Sequence, residues 1–79
     1  MAAGLVHSQH RAKLALFTAN MKARRLELKL IPRLAAAGAK MDRANWLRLE
    51  KGQAANIGMT TAFRVAEALN TTVGKLLGE

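Results

Sequence analysis

The stretch DRANWLRLEKG holds the side chains best suited to recognising another molecule: Arg43, Ala44, Leu47 and Arg48. Wound as an α-helix at 100° per residue, it puts Trp46, Leu49 and Glu50 on one side, with Met41 just ahead of them. Ala44, Arg48 and Lys51 fall on the opposite side, Leu47 flanks them, and Arg43 stands at the N-terminal end. A face meant only for solvent carries mixed Glu and Lys pairs. This one carries cations, an exposed Leu and an Ala small enough to permit close approach. Such a face suits a DNA major groove, where Arg makes bidentate contacts to guanine and apolar groups meet thymine methyls. Arg43, Ala44, Leu47 and Arg48 are therefore the expected base-reading residues. Around them Arg33, Lys40, Asn45, Lys51, Gln53 and Asn56 have the donors and the loop or helix-end positions expected of phosphate contacts.

The other chemistry-bearing residues form nothing of the kind. Cys and Tyr are absent, and the five acids are dispersed with no pair at helical spacing. The Ser and Thr residues have no neighbouring base, so no enzyme is expected. His7 and His10 are separated by two residues with no acidic or sulfur ligand near, which predicts solvated imidazoles, no metal site and no cofactor. Trp46 reads as a core anchor. Met21, Met41 and Met59 read as core fillers, and Met1 as the start. Asp42, an acid beside so many cations, reads as a helix cap.

Charge carries the same message at larger scale. Among 79 residues, thirteen Lys and Arg against five Asp and Glu give +8. Residues 1–52 hold eleven basic and three acidic side chains, and residues 53–79 hold two of each. One part of the chain thus bears the whole excess, the electrostatic footprint expected for a polyanion. Length allows a single domain. Apolar types make up 51%, but sixteen of those residues are Ala, which predicts a small, tight core. No run approaches the roughly 18–20 apolar residues that cross a bilayer. The start, MAAGLVHSQH, lacks the basic and long apolar regions of a secretion signal, so a cytoplasmic protein is expected.

Five helices must position these side chains. The first is predicted from about His10 to Lys29, with Leu14, Phe17, Met21 and Leu28 on one stripe. The second starts near Pro32, which a first turn tolerates, and ends at or just past Gly38. The third is capped by Asp42 and stopped by Gly52. The fourth spans about Met59 to Leu69, with Asn70 suited to a left-handed stop. Thr72 caps a last short turn, whose Val73, Leu76 and Leu77 are offered to a core or a partner. Residues 1–10 are set apart as an extension that either lengthens the first helix or packs on a neighbour. Residues 11–79 form the domain.

The run RRLELKLIPRLAAAGAKMDRANWLRLEKG, then Asn56, VAEALN and TVGKLL, resembles the lambda-repressor-like (Cro/cI, or XRE) helix-turn-helix family over about residues 17–77. The resemblance rests on Arg25, on Leu34-Ala35 or Ala35-Ala36, and on Met41-Asp42, Trp46, Glu50-Lys51-Gly52 and Val65-Ala66 with Leu69. Where the family opens its second helix with a small polar cap and Gln, this chain has Leu30-Ile31-Pro32. The turn residue is Lys40 in an ungapped match, or Gly38 with one insertion. The family implies a compact all-α, five-helix DNA-binding domain that regulates transcription, usually as a homodimer on a near-palindromic operator. It also implies an ion pair between Arg25 and Glu50. Val73, Leu76 and Leu77 are the expected dimer contact. The small size suggests a repressor from a phage or mobile element, working in a bacterial or phage-infected cell. Two rivals remain: an antitoxin of the same fold that autoregulates its operon, and a protein–protein adaptor without DNA binding. A third, a nonspecific nucleic-acid coat protein, would show no sequence preference.

Overall fold

The computed structural model describes residues 2–54 and 56–79, with side chains from His10 onward. Their chain order is α1 (Ala2–Glu27), α2 (Pro32–Gly38), α3 (Arg43–Glu50), α4 (Met59–Ala68) and α5 (Val73–Leu76). The architecture is all-α, with no strand among the described residues. No helix among them is long and apolar enough to cross a membrane.

α1 starts earlier than the periodicity predicts. The backbone of residues 2–9 continues the helix, so the N-terminal segment lengthens α1. At its other end the helix stops at Glu27, because Lys29 takes a left-handed φ of 57°. There the Leu30 N–H donates to the Arg25 carbonyl and the Lys29 N–H to that of Leu26, both at 3.1 Å. This paired closure satisfies carbonyls that a helix end leaves free. The same closure ends the other four helices, with Lys40, Gly52, Asn70 and Gly78 in the left-handed position.

α2 opens on Pro32 and buries Ala35 and Ala36. Gly38, one of two candidates for the turn residue, lies inside this helix. A Cβ added there would stand 3.2 Å from the Cβ of Ala68, so glycine lets α2 approach α4 closely. Lys40 makes the turn instead, at φ 59°. That fixes Ala35-Ala36 as the buried pair. Asp42 then starts α3, its carboxylate accepting the Asn45 N–H at 2.8 Å. Thr72 does the same for α5 by accepting the Lys75 N–H at 3.1 Å.

The core is built from Phe17 and Met21 of α1, Trp46 and Leu49 of α3, Val65 and Leu69 from the α4 region, and Leu76 of α5. Ala35, Ala36, Ala39 and Ala66 close the spaces between them. Leu28 and Met41 pack against this cluster half-buried. Met59 does not join it. Expected as a core filler, it is 76% exposed, because it is the first residue of α4 and that helix buries Val65 and Ala66 instead.

Candidate nucleic-acid interface

α3 is anchored from its inner side. Trp46 is fully buried and Leu49 nearly so. Glu50 accepts two hydrogen bonds from Arg25 of α1, at 2.6 Å from Nε and 3.0 Å from Nη2. It also accepts the indole N–H of Trp46, one turn earlier on the same helix. The remaining reach of Arg25 goes to the Leu30 carbonyl at 3.0 Å, beyond the end of α1. The side chains of Arg25 and Glu50 are 10% and 5% exposed. A bidentate pair of this geometry fixes orientation as well as distance. It fastens α3 to α1 and leaves α3 little freedom to rotate about its axis.

Hydrogen bonding to Glu50 holds the Arg25 guanidinium above its ordinary pKa, against the opposing effect of burial. A cation whose folded pKa is raised contributes stability at every pH below its unfolded pKa and loses it only as pH climbs through the folded one. For an arginine that loss falls in strong alkali.

The outer side of α3 is free in the same measure that the inner side is held. Arg43, Ala44 and Arg48 are exposed, as are Asn45 and Lys51. Arg33 projects from the first turn of α2, and Lys40 from the turn before α3. Gln53 and Asn56, in the loop after α3, are exposed too. Among the described residues, Arg33, Lys40, Arg43, Arg48 and Lys51 form no salt bridge. The nearby acids are engaged elsewhere: Glu50 with Arg25, Glu27 with Arg24 at 3.1 Å, and Asp42 on the α3 cap. Five cations on α2, the turn and α3 therefore face outward without an internal counter-charge.

Leu47 departs from expectation. It is half-buried, not freely exposed, because it flanks the outward face and part of its side chain is covered by the domain. The expected partner contact changes more. Leu76 is 2% exposed and belongs to the core, since α5 folds down against α1 and α4. It has no surface to offer. Val73 and Leu77 are half-buried and line an apolar hollow with Leu14, Leu16 and Phe17 of α1. His10 is exposed at the rim of that hollow, and the side chain of His7 lies outside the described residues.

One set of polar residues escapes sequence reasoning altogether. Arg24 donates to the carbonyls of Leu69 and Asn70 at 2.9 and 3.2 Å, at the C-terminal end of α4. Asn20 donates to the Leu76 carbonyl at 2.9 Å, and Lys13 to that of Leu77 at 3.2 Å. Cations suit helix C-termini, where carbonyl dipoles gather. The partners lie 45 to 64 positions apart in the chain, so the only sequence signal is the spacing of 13, 20 and 24 on one side of α1. These basic side chains bind the fold together and do not belong to the outward set.

Compared with family models, curated proteins and solved structures, the chain matches none.

Proposed function

We propose that this chain is a sequence-specific double-stranded-DNA-binding regulator of transcription. It would act as a lambda-repressor-like helix-turn-helix domain, in the cytoplasm of a bacterial or phage-infected cell. The observation that carries this reading is the two-sidedness of α3: held on one side by Trp46, Leu49 and the Arg25–Glu50 pair, it turns Arg43, Ala44 and Arg48 outward unpaired. With its side chains an α-helix is about 10–12 Å across, a fit to a major groove about 12 Å wide. Arg43 and Arg48 take base edges. Arg33, Lys40 and Lys51 take phosphates on either side.

One such helix reads only about four to six base pairs, so two copies act together on half-sites about 34 Å apart. Three phosphate-facing cations per copy make six in the pair. Releasing that many counterions gives a log–log salt slope of about −5, and affinity drops by about three decades between 50 and 200 mM salt. Titrating the chain onto random-sequence duplex across that range tests the electrostatics. A flat response would favour a protein–protein adaptor and remove the basis of this reading.

A further inference from the structure

The fold uses the polar side chains of α1 on one flank and leaves those on the other free. Lys13, Asn20 and Arg24 follow one flank and are tied to carbonyls at the ends of α4 and α5. The other flank lies against α3. There Thr18 is buried, its hydroxyl 3.9 Å from where a Cβ on Gly52 would stand, and Arg25 holds Glu50. At 3.6 residues per turn, Lys22 lies about 40° and Arg11 about 20° round the helix from Thr18, both away from the buried Met21. Both cations are exposed. Ala15, exposed between them, adds no bulk. Because Lys22 falls between Thr18 and Arg25, it emerges close to the C-terminal end of α3, where Lys51 and Gln53 stand.

We propose that this flank of α1 is a second grip on DNA, Arg11 and Lys22 binding phosphates of the duplex beyond those reached from α2, the turn and α3. The proposal rests on the duplex-binding reading and adds to it a segment outside the helix-turn-helix. Two observations select phosphate as the occupant. Charge is the first. Among the described residues neither cation forms a salt bridge, and all five acids stand elsewhere. Glu27, Glu50 and Glu79 pair with Arg24, Arg25 and Lys13, Asp42 caps α3, and Glu67 lies on α4. In a chain of +8, two cations without counter-charge add to self-repulsion, which an incoming polyanion relieves. Position is the second. The flank adjoins the end of α3, so a backbone strand held at Lys51 runs on to Lys22 and, about 16 Å further along α1, to Arg11.

Counterion release tests this directly. Two further contacts per copy take two copies from six phosphates to ten, and the log–log salt slope on random-sequence duplex from about −5 to about −9. Lys22→Gln and Arg11→Gln each remove one charge per copy from an exposed helix position, and glutamine suits a helix as well as either, so circular dichroism and melting should match wild type. Each variant is expected to make the slope shallower by about 2, and the two together to return it to about −5. Lys75→Gln is the control. This exposed cation, in no salt bridge among the described residues, sits on α5 at the opposite flank of α1, and its loss should leave the slope unchanged. A wild-type slope near −5 that Lys22→Gln and Arg11→Gln leave unaltered overturns the second grip and keeps the duplex-binding reading. A flat wild-type slope removes both. An equal loss from Lys75→Gln would assign the effect to net charge alone and also overturns the second grip.

Discussion

Replacing Glu50 with Ala removes three hydrogen bonds at one stroke, two from Arg25 and one from the Trp46 indole. Arg25 keeps only the Leu30 carbonyl, with its side chain 10% exposed. Breaking a buried ion pair from one side costs about 3–5 kcal/mol. The guanidinium sits near enough to the surface to recover some hydration, so the lower end applies, and the orphaned indole N–H adds about 1 kcal/mol. The total, about 4 kcal/mol, is a large share of the roughly 4–12 kcal/mol expected for a domain of this size. Glu50→Gln keeps an acceptor for the indole and loses mainly the charge, which should cost about 1–2 kcal/mol. Arg25→Met combined with Glu50→Leu should recover most of the single-variant loss, since apolar groups of similar volume substitute well for a buried pair. Urea unfolding followed by far-UV circular dichroism measures all three against wild type. With an m-value of about 1 kcal/mol/M, the Glu50→Ala midpoint falls by about 4 M or the chain is unfolded from the outset. If Glu50→Ala lies within about 1 kcal/mol of wild type, or the double variant is no more stable than Glu50→Ala, the anchoring role argued for this pair is wrong.

Lys40 holds a left-handed φ of 59° at the turn, so Lys40→Gly should raise stability by roughly 0.5–1 kcal/mol while lowering the salt slope of DNA binding by about one charge per copy. Lys29→Gly, at φ 57°, should give the same thermal gain without the change in slope. Asp42→Ala should cost about 1 kcal/mol in a denaturant melt through loss of the α3 cap, yet tighten binding to random duplex at low salt by removing an acid next to the outward cations. Arg48→Ala should lose about 1–3 kcal/mol on a preferred site and relax preference at one base position, whereas Lys51→Ala should weaken all duplexes alike and shrink the slope by about one charge per copy. Fluorescence anisotropy on both DNA types separates the two roles. Equal losses on both for Arg48→Ala would reassign that residue to the backbone.

Local chemistry made the helices legible from sequence. Asp42 and Thr72 cap because a short oxygen-bearing side chain reaches the free N–H groups of the next turn, and Asn70 ends α4 because it tolerates the left-handed region. The division of α3 into a buried and an outward side follows from 100° per residue and needs no tertiary information. What sequence did not yield depends on contacts between distant segments. Gly38 looks like a turn glycine, but its work is to admit Ala68, and a lysine makes the turn. Met59 and Leu76 differ little in hydrophobicity, yet one is 76% exposed and the other 2%. Only the way α5 folds back against α1 decides between them. Likewise Arg24 and Lys13 count in the net charge as readily as Arg48 does, and only the fold reveals that they bind carbonyls at the ends of α4 and α5.

Whether this chain reads duplex sequence is decided by selecting bound sites from a random duplex library. Enrichment of one near-palindromic motif is expected, with half-sites about one helical turn apart, and loss of preference at a single position in each half-site when Arg48 is replaced by Ala. Recovery of duplexes with no common motif, or no recovery above background at low salt, would contradict it.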